Sequence, residues 1–322
     1  MRPPTASARV LLAGSLLLPL LAALLLGLFA WPAVNTGPHG LPVGAVLQGP
    51  LRERFPNFLE RVRPGGFRVT LYPSETEARQ ALLKRRVYGV FLLDPGQPEG
   101  YRLYLASAAS PAAAQILTQV AEQLARLLAP AGLSRPEVVD LVPARREDPR
   151  QAGLAASGLP LVLTGALGGG LLGFGLRGRG PRLLGALLFP LGTGLAVAGV
   201  LQGYGTLGGG YLADALTAAL AAGAMQAFAG GLAARLGVRG LALGVGTFVL
   251  SNPFSGLNGA PELLPSPWGA VGQAFPLGAF GTLARAVAFF QGAGAEAALW
   301  TLVLWWAAGL ALLWGGGACA RS

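Results

Sequence analysis

Apolar and polar positions along this chain fall into two regimes. Six stretches, residues 10–31, 151–176, 183–213, 215–234, 240–261 and 297–320, run without a single charged side chain. Each reaches the roughly 20 residues that a helix rising 1.5 Å per residue needs to cross about 30 Å of hydrocarbon. Between the first two, residues 38–150 switch to short alternating segments. LPVGAVL at 41–47 reads as a buried strand, 51–62 as an amphipathic helix, FRVTLY at 67–72 as a strand, and 88–93 and 101–106 as two more strands. Ser74 followed by Glu77 is a capping box for a helix over 75–86, with Ala78, Ala81 and Leu82 facing a core and Arg79, Lys84 and Arg85 in water. Ser110 and Pro111 open another helix that runs to Leu128. Residues 129–150, rich in proline and charge, are expected to lie over this domain.

The pattern therefore predicts an α-helical integral membrane protein with six transmembrane helices and a mixed α/β domain inserted between helices one and two. The divisions are residues 1–37 for the N-terminus and a first helix acting as an uncleaved signal anchor, 38–150 for the α/β domain, and 151–322 for five further helices. A core of that size suffices for the inserted domain to fold by itself. One piece breaks the regularity. Residues 252–294 are apolar but interrupted by Pro253, Pro261, Pro265, Pro267 and Pro276, so they cannot form one straight helix. Non-helical backbone at membrane depth needs cover from protein or a wet cavity. Re-entrant or interfacial helices are the expected solution, with Asn252, Pro253, Gly256, Pro265, Trp268, Pro276 and Arg285 as candidate residues of an outer gate. Arg285 is expected to snorkel to the interface or to pair with Glu262 or Glu296.

Charge orients the spans. Arg2 and Arg9 precede the first; Arg177, Arg179 and Arg182 fill the loop after the second; Arg235 and Arg239 follow the fourth; Arg321 ends the chain. These are alternate connections, and the bias of basic residues toward the cytoplasm places both termini inside and residues 38–150 outside. The formal net charge of +10 is accounted for by these anchors and by an outer domain carrying 15 basic and 11 acidic residues, not by nucleic-acid binding. The lipid bilayer is the expected partner.

Catalytic chemistry finds little to work with. His39 is the only histidine and Cys319 the only cysteine, which removes His-based metal sites, triads and intramolecular disulfides. Asp94, Glu99, Asp140, Glu147 and Asp148 read as solvated turn residues. No span contains a buried acid or base of the kind a proton relay needs. Neither an enzyme nor a cofactor is expected. Gly165, Gly169 and Gly173, and likewise Gly199 and Gly203, are small-xxx-small steps at which helix backbones can approach closely.

The order of one span, an outer α/β domain and five spans, together with GLPVGAVLQGP at 40–50, EARQALLKRRVYGVFLLDP at 77–95, NPFSG at 252–256 and LPSPWGAVGQAFPLGA at 264–279, resembles the membrane subunits of type-2 ABC exporters. Within them it is most similar to the phage infection protein (Pip-like) branch. The resemblance implies a permease in a bacterial cell membrane that moves a hydrophobic or amphipathic substrate outward as a homodimer or heterodimer, powered by a separate ATPase. Lys84, the only lysine, has no glycine-rich loop before it, so this chain has no phosphate-binding P-loop. One departure stands out. Such exporters dock their ATPase through an N-terminal helix and a coupling helix, and here those places hold nine residues and RGRGPR. The competing expectation is a non-transporting envelope protein, an outer binding or assembly domain on a membrane anchor.

Overall fold

The computed structural model describes residues 6–94, 100–131 and 135–315; Arg2, Gly96, Glu99, Cys319 and Arg321 lie outside them. After a long helix α1 (Ala6–Val34) the chain builds a five-stranded sheet. Its elements are β1 (Leu41–Leu47), α2 (Leu51–Val62), β2 (Phe67–Leu71), α3 (Glu75–Leu83), β3 (Gly89–Leu93), β4 (Tyr101–Leu105), α4 (Pro111–Leu128) and β5 (Glu137–Asp140). The strand order is β2-β1-β3-β4-β5. β1 is parallel to both neighbours, β3 and β4 form the antiparallel pair, and β5 adds in parallel beside β4. LPVGAVL is continuously apolar because β1 is covered on both sides, as inner parallel strands are. α2 and α4, the latter through Leu117, close one face over Leu41, Val43, Phe91 and Leu103, where the Phe55 and Phe91 rings lie 5.0 Å apart. α3 closes the other over Val90 and Tyr104. Its start is the expected cap, with Ser74 Oγ accepting from the Glu77 N–H at 3.3 Å.

β5 is the strand that periodicity did not reveal. It is a four-residue edge strand, EVVD, inside the segment expected to lie over the domain, and its side chains are largely exposed. A strand so short carries no alternation to read.

The membrane part follows: α5 (Ala152–Ala156), α6 (Gly158–Gly170) with a wider π turn at Leu171–Gly175, α7 (Arg179–Gly203), α8 (Tyr211–Leu236), α9 (Val238–Ser251), α10 (Trp268–Gln273), α11 (Pro276–Phe290) and α12 (Glu296–Gly315). Among the described residues five helical segments are long and apolar enough to cross a membrane: Val10–Val34, Ala152–Gly175, Arg179–Gly203, Tyr211–Leu236 and Glu296–Gly315. The chain is thus a multi-span helical membrane protein. The stretch 240–261, read above as a further span, is instead the 14-residue α9. It ends where Asn252-Pro253 tightens the backbone into a 3₁₀ turn, because proline removes the amide that the next α-helical bond requires. At 1.5 Å per residue α9 reaches about 21 Å, short of the hydrocarbon thickness.

α8 is the hub, buried along most of its length and packed by α6, α7, α9, α11 and α12. α1 is the opposite case: between residues 11 and 30 none of its positions is buried, so its all-round apolar surface suits lipid. The two ends of the bundle differ. Arg179 Nε donates to Trp314 O at 3.1 Å, Arg235 Nε to Leu312 O at 3.0 Å, and Arg182 Nε to Leu176 O at 3.0 Å. These guanidinium groups satisfy the orphan carbonyls and the negative dipole ends of α12 and α6. The arginine-bearing loops therefore gather at the end of the bundle far from the sheet.

At the sheet end, Asp148 pins the start of α5. Its carboxylate accepts from Ala152 N at 2.7 Å, Gly153 N at 2.9 Å and Thr206 Oγ1 at 2.7 Å, so it is a structural cap and not the solvated turn residue that its position implied. Burial pushes this carboxyl up, but the bonds from Gly153, Thr206 and Ala152 together outweigh it and hold the group below the usual aspartate range. A folded-state value below the unfolded one means its stabilisation is present above the unfolded pKa and is lost as pH falls through the folded one. Asp148→Ala is expected to cost about 1–2 kcal/mol, as removal of a helix cap does. In thermal unfolding of the detergent-solubilised chain, the gap between wild type and variant should be full at pH 7 and close as the pH is taken below about 4.

Candidate functional site at the seam of sheet and broken helices

Everything between α9 and α12 is folded back under the sheet domain. Asn252–Phe254 and Pro261–Leu263 are 3₁₀ turns; Pro265 O accepts from Trp268 N at 2.9 Å to start α10; Pro276 sits in the first turn of α11, where a missing amide costs nothing. The short helices lie against one another at backbone distance. A Cβ added at Gly272 would run into the Phe254 carbonyl oxygen, and one at Gly269 into that of Pro261. Trp268 stacks on Phe254 with ring centres 4.6 Å apart and meets Trp31, at the end of α1, edge-on at 6.5 Å. The chain leaving α1 is strapped to the same turn: Gly37 N donates to Leu263 O at 2.9 Å and His39 N to Glu262 O at 2.8 Å. Asn252, Pro253, Gly256, Pro265, Trp268, Pro276 and Arg285 are thus collected in one compact layer.

Arg285 occupies the centre of that layer and is only 2% exposed. It neither snorkels nor pairs with a carboxylate among the described residues. Its Nε donates to Gln151 Oε1 at 2.8 Å, Nη2 to Leu257 O at 2.7 Å and Nη1 to Gly256 O at 3.2 Å. The broken backbone supplies carbonyls that no helix uses, and these solvate the guanidinium. Gln151, in a left-handed conformation with φ 52°, also donates through Nε2 to Ala108 O at 2.8 Å. One buried amide therefore joins the sheet domain, the start of the second span and α11.

Four further side chains, Arg85, Tyr88, Thr282 and Gln273, were not legible in the sequence. Arg85, expected in water at the end of α3, turns inward on a left-handed backbone, φ 56°. Its Nη1 donates to Thr282 O at 3.0 Å and its guanidinium lies 5.4 Å from the centre of the Phe290 ring. Burial lowers its pKa, opposed by Tyr88 and Glu262. Tyr88 donates to Glu262 Oε2 at 2.9 Å; burial and the Glu262 charge raise its pKa, with Arg85 and Arg285 pulling the other way. Thr282 Oγ1 in turn donates to Gln273 Oε1 at 2.7 Å, and Gln273 Nε2 to Ser255 O at 3.1 Å. A continuous hydrogen-bonded path thus runs from Arg85 in the sheet domain to the NPFSG break. No sequence signal pointed to it: the residue that turns the chain inward after α3 is left-handed, and backbone φ is not readable from residue type when the residue is arginine.

These groups border a cavity of about 440 Å³ lined by His39, Arg85, Tyr88, Glu262, Gln273 and Thr301, among others. Among the described residues no three His, Cys, Asp or Glu side chains converge as metal ligands do. Asp214, outside the fourth apolar stretch, falls within the first turn of α8 and is buried, accepting from Gln202 Nε2 at 2.7 Å. A carboxylate at a helix N-terminus meets the positive end of the dipole. The chain matches no protein-family model, no curated protein and no solved structure.

The glycine steps divide. A Cβ at Gly165 would lie 3.0 Å from Met225 Cβ, at Gly169 2.8 Å from Ala229 Cβ, and at Gly173 2.5 Å from Ala233 Cβ; this face of α6 packs on α8 of the same chain. On α7, a Cβ at Gly199 would meet only Tyr211, its hydroxyl at 3.9 Å, and one at Gly203 nothing within 4 Å. The close approach of α7 to α8 runs through Gly194 instead, against Ala215 and Ala219.

Proposed function

We propose that the chain is the membrane-spanning permease subunit of a type-2 ABC exporter, moving a hydrophobic or amphipathic substrate outward with energy from a separate ATPase. The observation that carries this reading is the hydrogen-bonded seam: a sheet domain joined through Arg85, Gln151 and Arg285 to broken helices at one end of a helical bundle. A load on one domain would then move the other. In this reading the sheet domain lies outside a bacterial cell membrane, both termini are cytoplasmic, and the arginine-rich loops face the ATPase. α9 with the layer after it takes the place of a sixth span, reaching the outer surface as a re-entrant element.

The second reading, a non-transporting envelope protein of the phage infection protein type, is favoured by one feature. α6 and α7 are joined through residues 176–178 alone, so this loop offers an ATPase little of the roughly 800 Å² per partner that a stable interface buries.

A pull-down of the full chain from native membranes, followed by an ATPase assay, separates the two. The permease reading expects a nucleotide-binding protein and ATP hydrolysis to co-purify; a chain recovered without either leaves the envelope protein. Orientation is checked on a Cys319→Ser background. A cysteine replacing the exposed Glu60 should label in intact cells and one replacing Gly178 only after permeabilisation. Labelling of both from the same side would end the topology.

A further inference from the structure

The seam around the cavity carries more guanidinium groups than carboxylates among the described residues. Two guanidinium groups lie at the seam, Arg85 on the cavity wall and Arg285 outside its lining, bonded to Gln151, Gly256 and Leu257, and neither makes an ion pair among the described residues. The one carboxylate on the cavity wall among the described residues, Glu262, is engaged by the Tyr88 hydroxyl. Of the five N–H donors of Arg85, one is used, on Thr282 O, and the side chain borders the cavity. A guanidinium fork with free donors in a partly dehydrated pocket matches phosphate oxygens in geometry and charge. The lining is mixed: His39, Arg85, Gln273 and Thr301 are polar, and Leu264, Pro267 and Ala298 are apolar. The cavity reaches the start of α12, a span: Gly294, just before the helix, and Ala297, in its first turn, border the cavity and are exposed. At about 440 Å³ the cavity falls in the range of small-molecule sites, large enough for a headgroup and not for two acyl chains.

We propose that this cavity binds the phosphate headgroup of an anionic lipid, with Arg85 as the phosphate ligand and the acyl chains running out along α12. The assignment deepens the permease reading and rests on it only for calling the lipid a cargo; binding itself needs no ATPase. It is tested by native mass spectrometry of the full chain in detergent, titrated with dioleoyl phosphatidic acid, with dioleoyl phosphatidylcholine and with inorganic phosphate. The expected result is at least a tenfold preference for phosphatidic acid over phosphatidylcholine. Arg85→Gln should remove the preference, Glu262→Gln should tighten phosphatidic acid several-fold by lifting a repulsion, and Arg239→Gln, exposed at the other end of the bundle, should leave it unchanged. Should Arg85→Gln fail to fold, Glu262→Gln decides: unchanged or weaker binding overturns the site. Equal binding of the two lipids overturns it as well, as does displacement of phosphatidic acid by equimolar inorganic phosphate, which would make the site one for a free anion. A positive titration with no ATPase recovered from membranes would retain the lipid site and remove the permease. The converse pair of results would retain the permease and remove the lipid.

Discussion

Replacing Arg285 with methionine is expected to destabilise the full chain by about 3–5 kcal/mol, the largest effect of any single side chain at the seam. Methionine fills similar space but leaves Gln151 Oε1, Gly256 O and Leu257 O without the donors they now share. A buried acceptor stripped of its partner costs about 1–3 kcal/mol, more when the lost donor was charged. The three losses are not additive, since the Gly256–Leu257 turn can shift, so the sum lies below three times the upper value. Arg285→Lys should recover only part, because an ammonium is a point donor and cannot span three acceptors as the planar guanidinium does. The readout is thermal unfolding in detergent, where a loss of this size lowers Tm by on the order of 10 °C. Arg239→Met, at an exposed position, is the control. A Tm for Arg285→Met equal to that of the control would show that the guanidinium is not what holds the seam.

That arginine marks the boundary of what periodicity and residue type reveal. The run at 10–31 and the strand LPVGAVL announce themselves because each is apolar on every side for one local reason: no residue of the helical run buried by protein, or a sheet covered on both faces. The capping serines of α3 and α4 are legible for a local reason too, since each bonds an amide three residues away. Where the outcome depends on residues far apart, the local reading falls short. Arg85 looks like a wet helix end until Phe290 and Thr282, some 200 positions later, are brought beneath it. Asp148 looks like a turn acid until Thr206 arrives. The stretch 240–261 carries the hydropathy of a span, and only Asn252-Pro253 within it foretells that α9 stops after 14 residues. The prolines after it do say that the backbone breaks, but not that its freed carbonyls will be spent on a cation from α11.

Gly169 separates an internal packing face from a surface held for a partner. Leucine there would place its Cβ 2.8 Å from Ala229 Cβ and 3.0 Å from Gly230 N, and the second contact is with backbone that cannot rotate away. Overpacking a tight contact costs about 1–3 kcal/mol when side chains can yield, so Gly169→Leu should exceed the upper end of that range and drive α6 off α8. Gly203→Leu, with nothing within 4 Å, should leave stability within about 0.5 kcal/mol, as a surface change does. The origin of the effect is isolated by a cycle. Gly169→Ala places a methyl against Ala229 Cβ, and adding Ala229→Gly removes the atom it strikes, so the double variant should regain much of the loss as a favourable coupling of about 1 kcal/mol or more. The chain's melting temperature and its fraction monodisperse on size-exclusion chromatography after heating report both terms. If Gly169→Ala is silent in the isolated chain and appears only when a second membrane subunit is present, the α6 face belongs to an assembly and not to the α6–α8 contact, and the rescue by Ala229→Gly will not occur.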